Sequence, residues 1–298
     1  MPTAKSQLGF AFLCLIFATL FHTVIWQTFS LAWRDEESNY ILLILPISIA
    51  LIVAQWRALP RTSVRSSKSG LVFLGLAALI ALLSRWWLSV ADIRLSIGML
   101  AVVSSWVGAF VICFGPELAT ALRFPLGFLF CLIPIPSALA LVLAHVWQLG
   151  SASFASFLFS VVDVPTSTNG AILYIPGFNF EVARECSSLR SSFILIVTAM
   201  VLAHLFLRTT WRKALIVMLA VPISIAKNGL RIFTIGILSI KVDASFLSGR
   251  LHREGGFIFF SAALLAVLGF LWIARKTEAL NPDSFGFHWK AANVNTKA

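Results

Sequence analysis

Runs of about twenty apolar residues, separated by short polar links, recur along this chain. They occupy 8–29, 40–56, 70–90, 95–115, 124–144, 189–207, 214–239 and 255–274. A bilayer core of ~30 Å is crossed by about 20 residues of helix, with tilt absorbing longer or shorter runs. The pattern therefore predicts an all-α polytopic membrane protein with about eight transmembrane helices. The fifth run carries "IPIPS" (133–137), and Pro134 and Pro136 predict a break or kink there.

Two stretches depart from this pattern. Over 138–162, His145, Gln148, Ser153, Ser156 and Ser160 recur at intervals of three to five, leaving leucines, valines and phenylalanines on the other face. That spacing predicts an amphipathic helix lying along the outer interface. A ninth span here would invert everything downstream. The next stretch, "DVPTSTNGAILYIPGFNFEVARE" (163–185), has turn signals at Asn169-Gly170 and Pro176-Gly177, with strand-like "AILYI" and "FNFEV". It predicts a small extracytoplasmic hairpin.

Composition agrees with a membrane chain. Of 298 residues, 59% are hydrophobic and 12% charged, and the mean hydropathy is +0.92. No soluble domain of this size could hide that much apolar surface. The formal net charge of +11 would suit nucleic acid, but the basic residues sit in short links between apolar runs, which is a topology signal instead.

Arg57, Arg61, Arg65 and Lys68 precede the third run, Arg208, Arg212 and Lys213 the seventh, and Arg275 and Lys276 follow the last. The positive-inside rule places these links, and both termini, in the cytoplasm. The acidic "RDEESN" (34–39) and the balanced Asp92 and Arg94 fall on the opposite side. The first run exceeds the ~7–15 residues of a signal core and is read as a retained span. Residues 1–276 form one transmembrane domain in this reading, with a catalytic half at about 110–274, and 277–298 a polar cytoplasmic tail.

Cys14, Cys113, Cys131 and Cys186 are far apart and show neither metal nor redox spacing, so no metal or cofactor is expected. Only Cys186, in "EVARECSSLRSSFILIV" (181–197), falls at the outer end of a span. A helix N-terminus and Arg190 at i+4 favour its thiolate, while Glu185 opposes it. For the other three, an inert buried thiol is the simpler reading.

A second group lies in "VPISIAKNGLRIFTIGIL" (221–238). An arginine within a span costs at least ~2.5 kcal/mol, so Arg231 is expected to face a polar interior. Asn228, at i−3, is placed to orient the guanidinium, and Lys227, at i−4, would repel it on a shared face. A purely structural or topogenic arginine is the alternative. The third group is His252 in "GRLHREGGFIFF" (249–260), before the last span. Its imidazole suits proton transfer near neutral pH, although a lone loop histidine is more often solvated surface. Thiol, guanidinium and imidazole thus converge on one face, the three functions that nucleophilic acyl transfer requires.

Those residues resemble the exosortase/archaeosortase family, whose members show "C-S-[GS]-[LI]-R", then "P…N-x-x-R-I", then a histidine or arginine opening the last span. Here these read Cys186-Ser187-Ser188-Leu189-Arg190, Pro222…Asn228-Gly229-Leu230-Arg231-Ile232, and His252. "RFPLGFLFCLIPIP" and "YIPGFNFEV" also resemble the family's pre-catalytic stretch, so the likeness covers about 110–270. Histidine at the third position resembles the bacterial exosortase branch. Ser188, where glycine is commoner, and Glu185, where a small residue often sits, depart from the pattern.

The resemblance implies a cysteine protease or transpeptidase of the bacterial inner membrane, its site facing the periplasm. Cys186, Arg231 and His252 would be catalytic, with Arg190, Asn228 and Ser187 supporting. The implied partners are the bilayer and membrane-anchored proteins bearing a C-terminal sorting signal: a Pro-Glu-Pro-like motif, a transmembrane helix and a basic cluster. The rival is an anion or lipid transporter using Arg190 and Arg231 without covalent chemistry. Against it, no matching pair of interrupted spans marks two inverted halves.

Overall fold

Long helices dominate the computed structural model, which describes residues 4–56, 67–87, 90–175, 178–181, 189–243 and 255–280. The chain divides into two compact units, 1–142 and 143–298.

In the first unit, the leading apolar run folds as α1 (Ala4–Leu20) and α2 (His22–Arg34), bent by 78°. The bend has a local cause. Thr19 Oγ1 donates to Ile16 O (2.8 Å) and His22 Nδ1 meets Thr19 O at 3.0 Å, so side chains engage carbonyls that a straight helix would use. Helices α3 (Ile41–Trp56) and α4 (Ser67–Trp87) follow, then α5 (Ala91–Phe114), the most buried helix of the unit. Helix α4 crosses α5 at glycines: a Cβ on Gly70 would lie 3.1 Å from Gly108 O and 2.3 Å from Ile112 Cγ1.

The predicted span at 124–144 does not form as one helix. The chain makes two short helices, α6 (Pro116–Ala121) and α7 (Arg123–Phe128), and a 3-10 turn (Leu129–Leu132) before it leaves helical geometry through Pro134 and Pro136. Each proline removes a backbone donor, which is why the anticipated break or kink is a complete break. Ser96 Oγ donates to Pro134 O (2.8 Å), satisfying a carbonyl freed by the break. Helix α8 (Ser137–Val161) then restarts at Ser137, whose N–H donates to the Asp92 carboxylate (2.8 Å).

In the second unit α8 continues into a three-stranded antiparallel sheet, β1 (Ser167–Asn169), β2 (Ile172–Ile175) and β3 (Phe178–Glu181), in that order. The Asn169-Gly170 signal makes a two-residue hairpin turn, with Asn169 opposite Ile172 and Gly170 at φ +61. Alternate β2 side chains Leu173 and Ile175 are buried against Ala152, Ala155, Phe159 and Ile232, so the sheet caps one end of the helices. Helices α9 (Leu189–Phe206), α10 (Thr210–Lys241) and α11 (Gly256–Leu280) complete the unit. They share a core in which Leu195, Ala199, Ala203, Ile216, Ala220, Ala263, Val267 and Leu271 recur at about every fourth residue.

At the end away from the sheet, Glu278 accepts from the backbone N–H of Arg208 (3.0 Å) and Thr209 (2.7 Å) and from Thr209 Oγ1. Arg212 reaches back to Ala274 O (2.7 Å) and Thr277 Oγ1 (3.1 Å).

Helix α8 does not lie flat along an interface as its polar spacing predicts. It packs lengthwise on α10 and runs the same way: Trp147 meets Ser224, Ser151 meets Asn228, and Phe159 meets Gly236. The contacts advance twelve residues on each helix (159 − 147 and 236 − 224), or about 18 Å at helical rise. The face toward α10 is Ala144, Trp147, Ser151, Ala155 and Phe159, while Val142, Val146, Phe157 and Val161 stay exposed. His145, Ser153 and Ser160 share the exposed surface of α8 with those apolar side chains, so the helix has no purely polar side.

By length and composition α5, α8, α9, α10 and α11 can each cross a membrane, and the bent α1–α2 pair would be a sixth. Among the described residues the count therefore reaches five or six, not eight. Helix α3 is a 16-residue helix, too short for that test. The all-α polytopic class holds.

Candidate active site

The polar groups of the second unit gather along one stretch of α10. Between Leu189 and Val242 the sequence has no Asp or Glu, yet it holds Arg190, Lys227 and Arg231. In an apolar bundle such groups need hydrogen-bond partners, and this stretch of α10 finds them on two of its neighbours, α8 and α9.

Toward α8, Trp147 Nε1 donates to Ser224 Oγ (3.0 Å), which donates to Val221 O (2.7 Å), a bond one residue before the helix proline Pro222. One turn on, Asn228 Nδ2 donates to Ser151 Oγ (3.0 Å). Both Asn228 and Ser151 are fully buried, and Asn228 Oδ1 has no hydrogen-bond partner among the described residues. Glycines let the backbones close around this seam. A Cβ at Gly150 would sit 2.9 Å from Ile225 Cγ2, and one at Gly229 2.9 Å from Ser151 O. The amide of Asn228 is thus spent on α8, not on the Arg231 guanidinium that its i−3 spacing suggested.

Toward α9, Lys227 Nζ donates to Ser191 Oγ, and only 7% of Lys227 is exposed. Arg231 is half-buried one turn further along the same face. It lies ten residues before Lys241, the last of α10, about 15 Å from that end. Arg190 is exposed on the first turn of α9, beside Ser191. The expected repulsion between Lys227 and Arg231 is met by giving the ammonium a hydroxyl acceptor on another helix.

Cys186, Ser187 and His252 lie outside the described residues. In sequence, Cys186 is three positions before Leu189, which opens α9, and His252 is three before Gly255, just ahead of α11. The other cysteines, Cys14, Cys113 and Cys131, are half-buried thiols of the first unit. The structure therefore brings together Arg190, Ser191, Lys227 and Arg231 at one end of the α9–α10 pair, with Asn228 behind them. Sequence reasoning did not identify Lys227 and Ser191 as partners, nor Trp147, Ser151 and Ser224 as the seam. The readable signal was polar residues at i and i+4 on two runs, Trp147 with Ser151 and Ser224 with Asn228.

An all-α, multi-pass membrane protein with a cationic, carboxylate-free seam between its later helices is the class these features define. The family model of transmembrane exosortases matches residues 32–269, reaching well before the motif-bearing region that begins near 110. The chain belongs to the transmembrane exosortase family. Membership makes it a membrane protein of exosortase type, a peptidase or transpeptidase acting on membrane protein substrates with sorting signals. No curated protein and no solved structure matches it.

Proposed function

We propose that the chain is a cysteine protease or transpeptidase that cleaves the C-terminal sorting signal of secreted proteins at the outer face of the bacterial inner membrane. The signal comprises a Pro-Glu-Pro-like motif, a transmembrane helix and a basic cluster. The observation that carries this reading is that Arg231 lies one turn beyond Lys227 on α10, whose ammonium bonds Ser191 on the first turn of α9, the helix that follows the Cys186 segment in sequence. Helix α9 runs antiparallel to α10, and α10 to α11, so the start of α9, the end of α10 and the start of α11 share one end of the unit. In sequence, the segments bearing the candidate thiol and imidazole adjoin those helix ends.

In this mechanism the Cys186 thiolate attacks the carbonyl carbon at the sorting motif. Arg231 stabilises the tetrahedral oxyanion, and His252 donates a proton to the leaving amine as the C–N bond breaks. The resulting thioester passes to water or to an acceptor nucleophile, and Cys186 leaves as thiolate. Arg190 and Ser187 support the thiol segment, and Asn228 supports α10 through α8. The basic turn Arg208–Lys213 faces the cytoplasm by the positive-inside rule, which puts the sheet and the site on the periplasmic side.

The test is C-terminal processing of a co-expressed sorting-signal protein by Cys186→Ala and Cys14→Ala variants. Loss of processing with Cys186→Ala alone supports the reading; normal processing by both overturns it.

A further inference from the structure

Lys227 is left without a role by the mechanism above, although burying an ammonium in a helical bundle is costly. No carboxylate occurs in α8, α9 or α10, and the single one in α11 is Glu278, at the opposite end and occupied by the α9–α10 turn. Its hydrogen-bond partner among the described residues is the Ser191 hydroxyl, on the first turn of α9. On the next position of α10, Asn228 binds Ser151 of α8. Consecutive α10 residues thus fix the axial register of two different helices, and Arg231 is one turn away from both.

We infer that Lys227 is a positioning residue: its bond to Ser191 sets the start of α9 against Arg231, and so sets the thiol segment that immediately precedes α9. The inference rests on the cysteine-protease reading. The geometry gives a lysine a use here. A long stem reaches from α10 to α9, and the ammonium supplies a directional donor that an apolar pair lacks, so sliding α9 along α10 breaks the bond. Apolar packing such as that of the core holding Leu195, Ala199 and Ala220 tolerates small shifts, whereas a hydrogen bond weakens steeply with displacement and angle. A displacement near 1 Å between nucleophile and oxyanion donor costs about 100-fold in rate.

The experiment uses the full chain in detergent, with a synthetic Pro-Glu-Pro peptide as probe, and compares Lys227→Met, Ser191→Ala, the double variant, Lys227→Arg and Cys186→Ala. The expected result for Lys227→Met and Ser191→Ala is a fall in kcat of about 100-fold with KM unchanged. The double variant is expected to be no worse than the weaker single, since either substitution already removes the Lys227–Ser191 bond. Lys227→Arg, which keeps a donor, should recover most of the rate. Replacing the buried ammonium by methionine should leave Tm at or above that of the parent, which separates positioning from simple loss of stability.

The inference is overturned by wild-type turnover in Lys227→Met and Ser191→Ala, by losses that multiply in the double variant, or by a kcat loss that tracks a lower Tm and is not rescued by arginine. If those results come with an inactive Cys186→Ala, the protease reading stands and this inference alone falls. An active Cys186→Ala removes the protease reading and the inference with it.

Discussion

Replacing Gly229 by alanine isolates the α8–α10 seam on which Arg231 depends. A Cβ at Gly229 would lie 2.8 Å from Phe154 Cδ1, 3.0 Å from Phe154 Cβ and 2.9 Å from Ser151 O. A phenyl ring can swing aside, but Ser151 O is backbone. Reaching the 3.4 Å where ordinary contact begins means moving α8 by 3.4 − 2.9 = 0.5 Å. That shift also stretches the 3.0 Å Asn228–Ser151 bond.

Overpacking of this kind costs about 1–3 kcal/mol, while the helix-propensity gain of Gly→Ala returns about 1 kcal/mol. Gly269→Ala on α11 supplies the control, because a Cβ there meets nothing within 4 Å. The propensity gain is common to both, so their difference isolates the steric term. Helix content followed by circular dichroism during unfolding in detergent should place Gly229→Ala below Gly269→Ala by about 1–3 kcal/mol. A difference within about 0.5 kcal/mol, the scatter of surface substitutions, would refute the close approach of α8 and α10.

Other expectations follow from the same structure. Asn228→Ala removes the α8–α10 bond and should lower stability by about 0.6–2 kcal/mol in the same unfolding assay, the range of interhelical hydrogen bonds in membranes. Glu278→Ala strips the acceptor from the Arg208 and Thr209 amides and should cost about 1.5–3 kcal/mol, typical of hydrogen bonds to a charged group; protease sensitivity should rise at the α9–α10 turn. A membrane-impermeant maleimide added to intact cells should label Cys186 and none of Cys14, Cys113 or Cys131. Labelling of Cys186 only after lysis would reverse the proposed orientation.

Hydropathy was enough to read the class of the protein and the late helices, because α9, α10 and α11 are long, apolar and ended by basic residues or turns. It misplaced the middle of the chain. The run 124–144 is apolar throughout, and hydropathy averages over the two prolines that in fact end one helix and start the next. Over 138–162, His145, Gln148, Ser153, Ser156 and Ser160 raised an amphipathic signal, but Val142, Val146, Phe157 and Val161 are exposed as well, and the serine that packs on α10, Ser151 against Asn228, lies outside that pattern.

The β2–β3 hairpin was legible because strand-like "AILYI" and "FNFEV" flank the Pro176-Gly177 turn signal, whereas β1 lacks an apolar pattern and went unread. At the site, Arg231 and Asn228 stood out as polar residues in an apolar run. Their partners could not be read, since Ser191 and Ser151 come from separate helices and look like ordinary serines in sequence.

The most direct measurement is intact-mass analysis of the protein purified from cells that co-express a sorting-signal substrate, with and without hydroxylamine. The account predicts a mass adduct equal to the substrate acyl group, mapped to Cys186, released by hydroxylamine and missing from Cys186→Ala. An acyl group carried on any other residue, or substrate processed at the normal rate by Cys186→Ala, would contradict it.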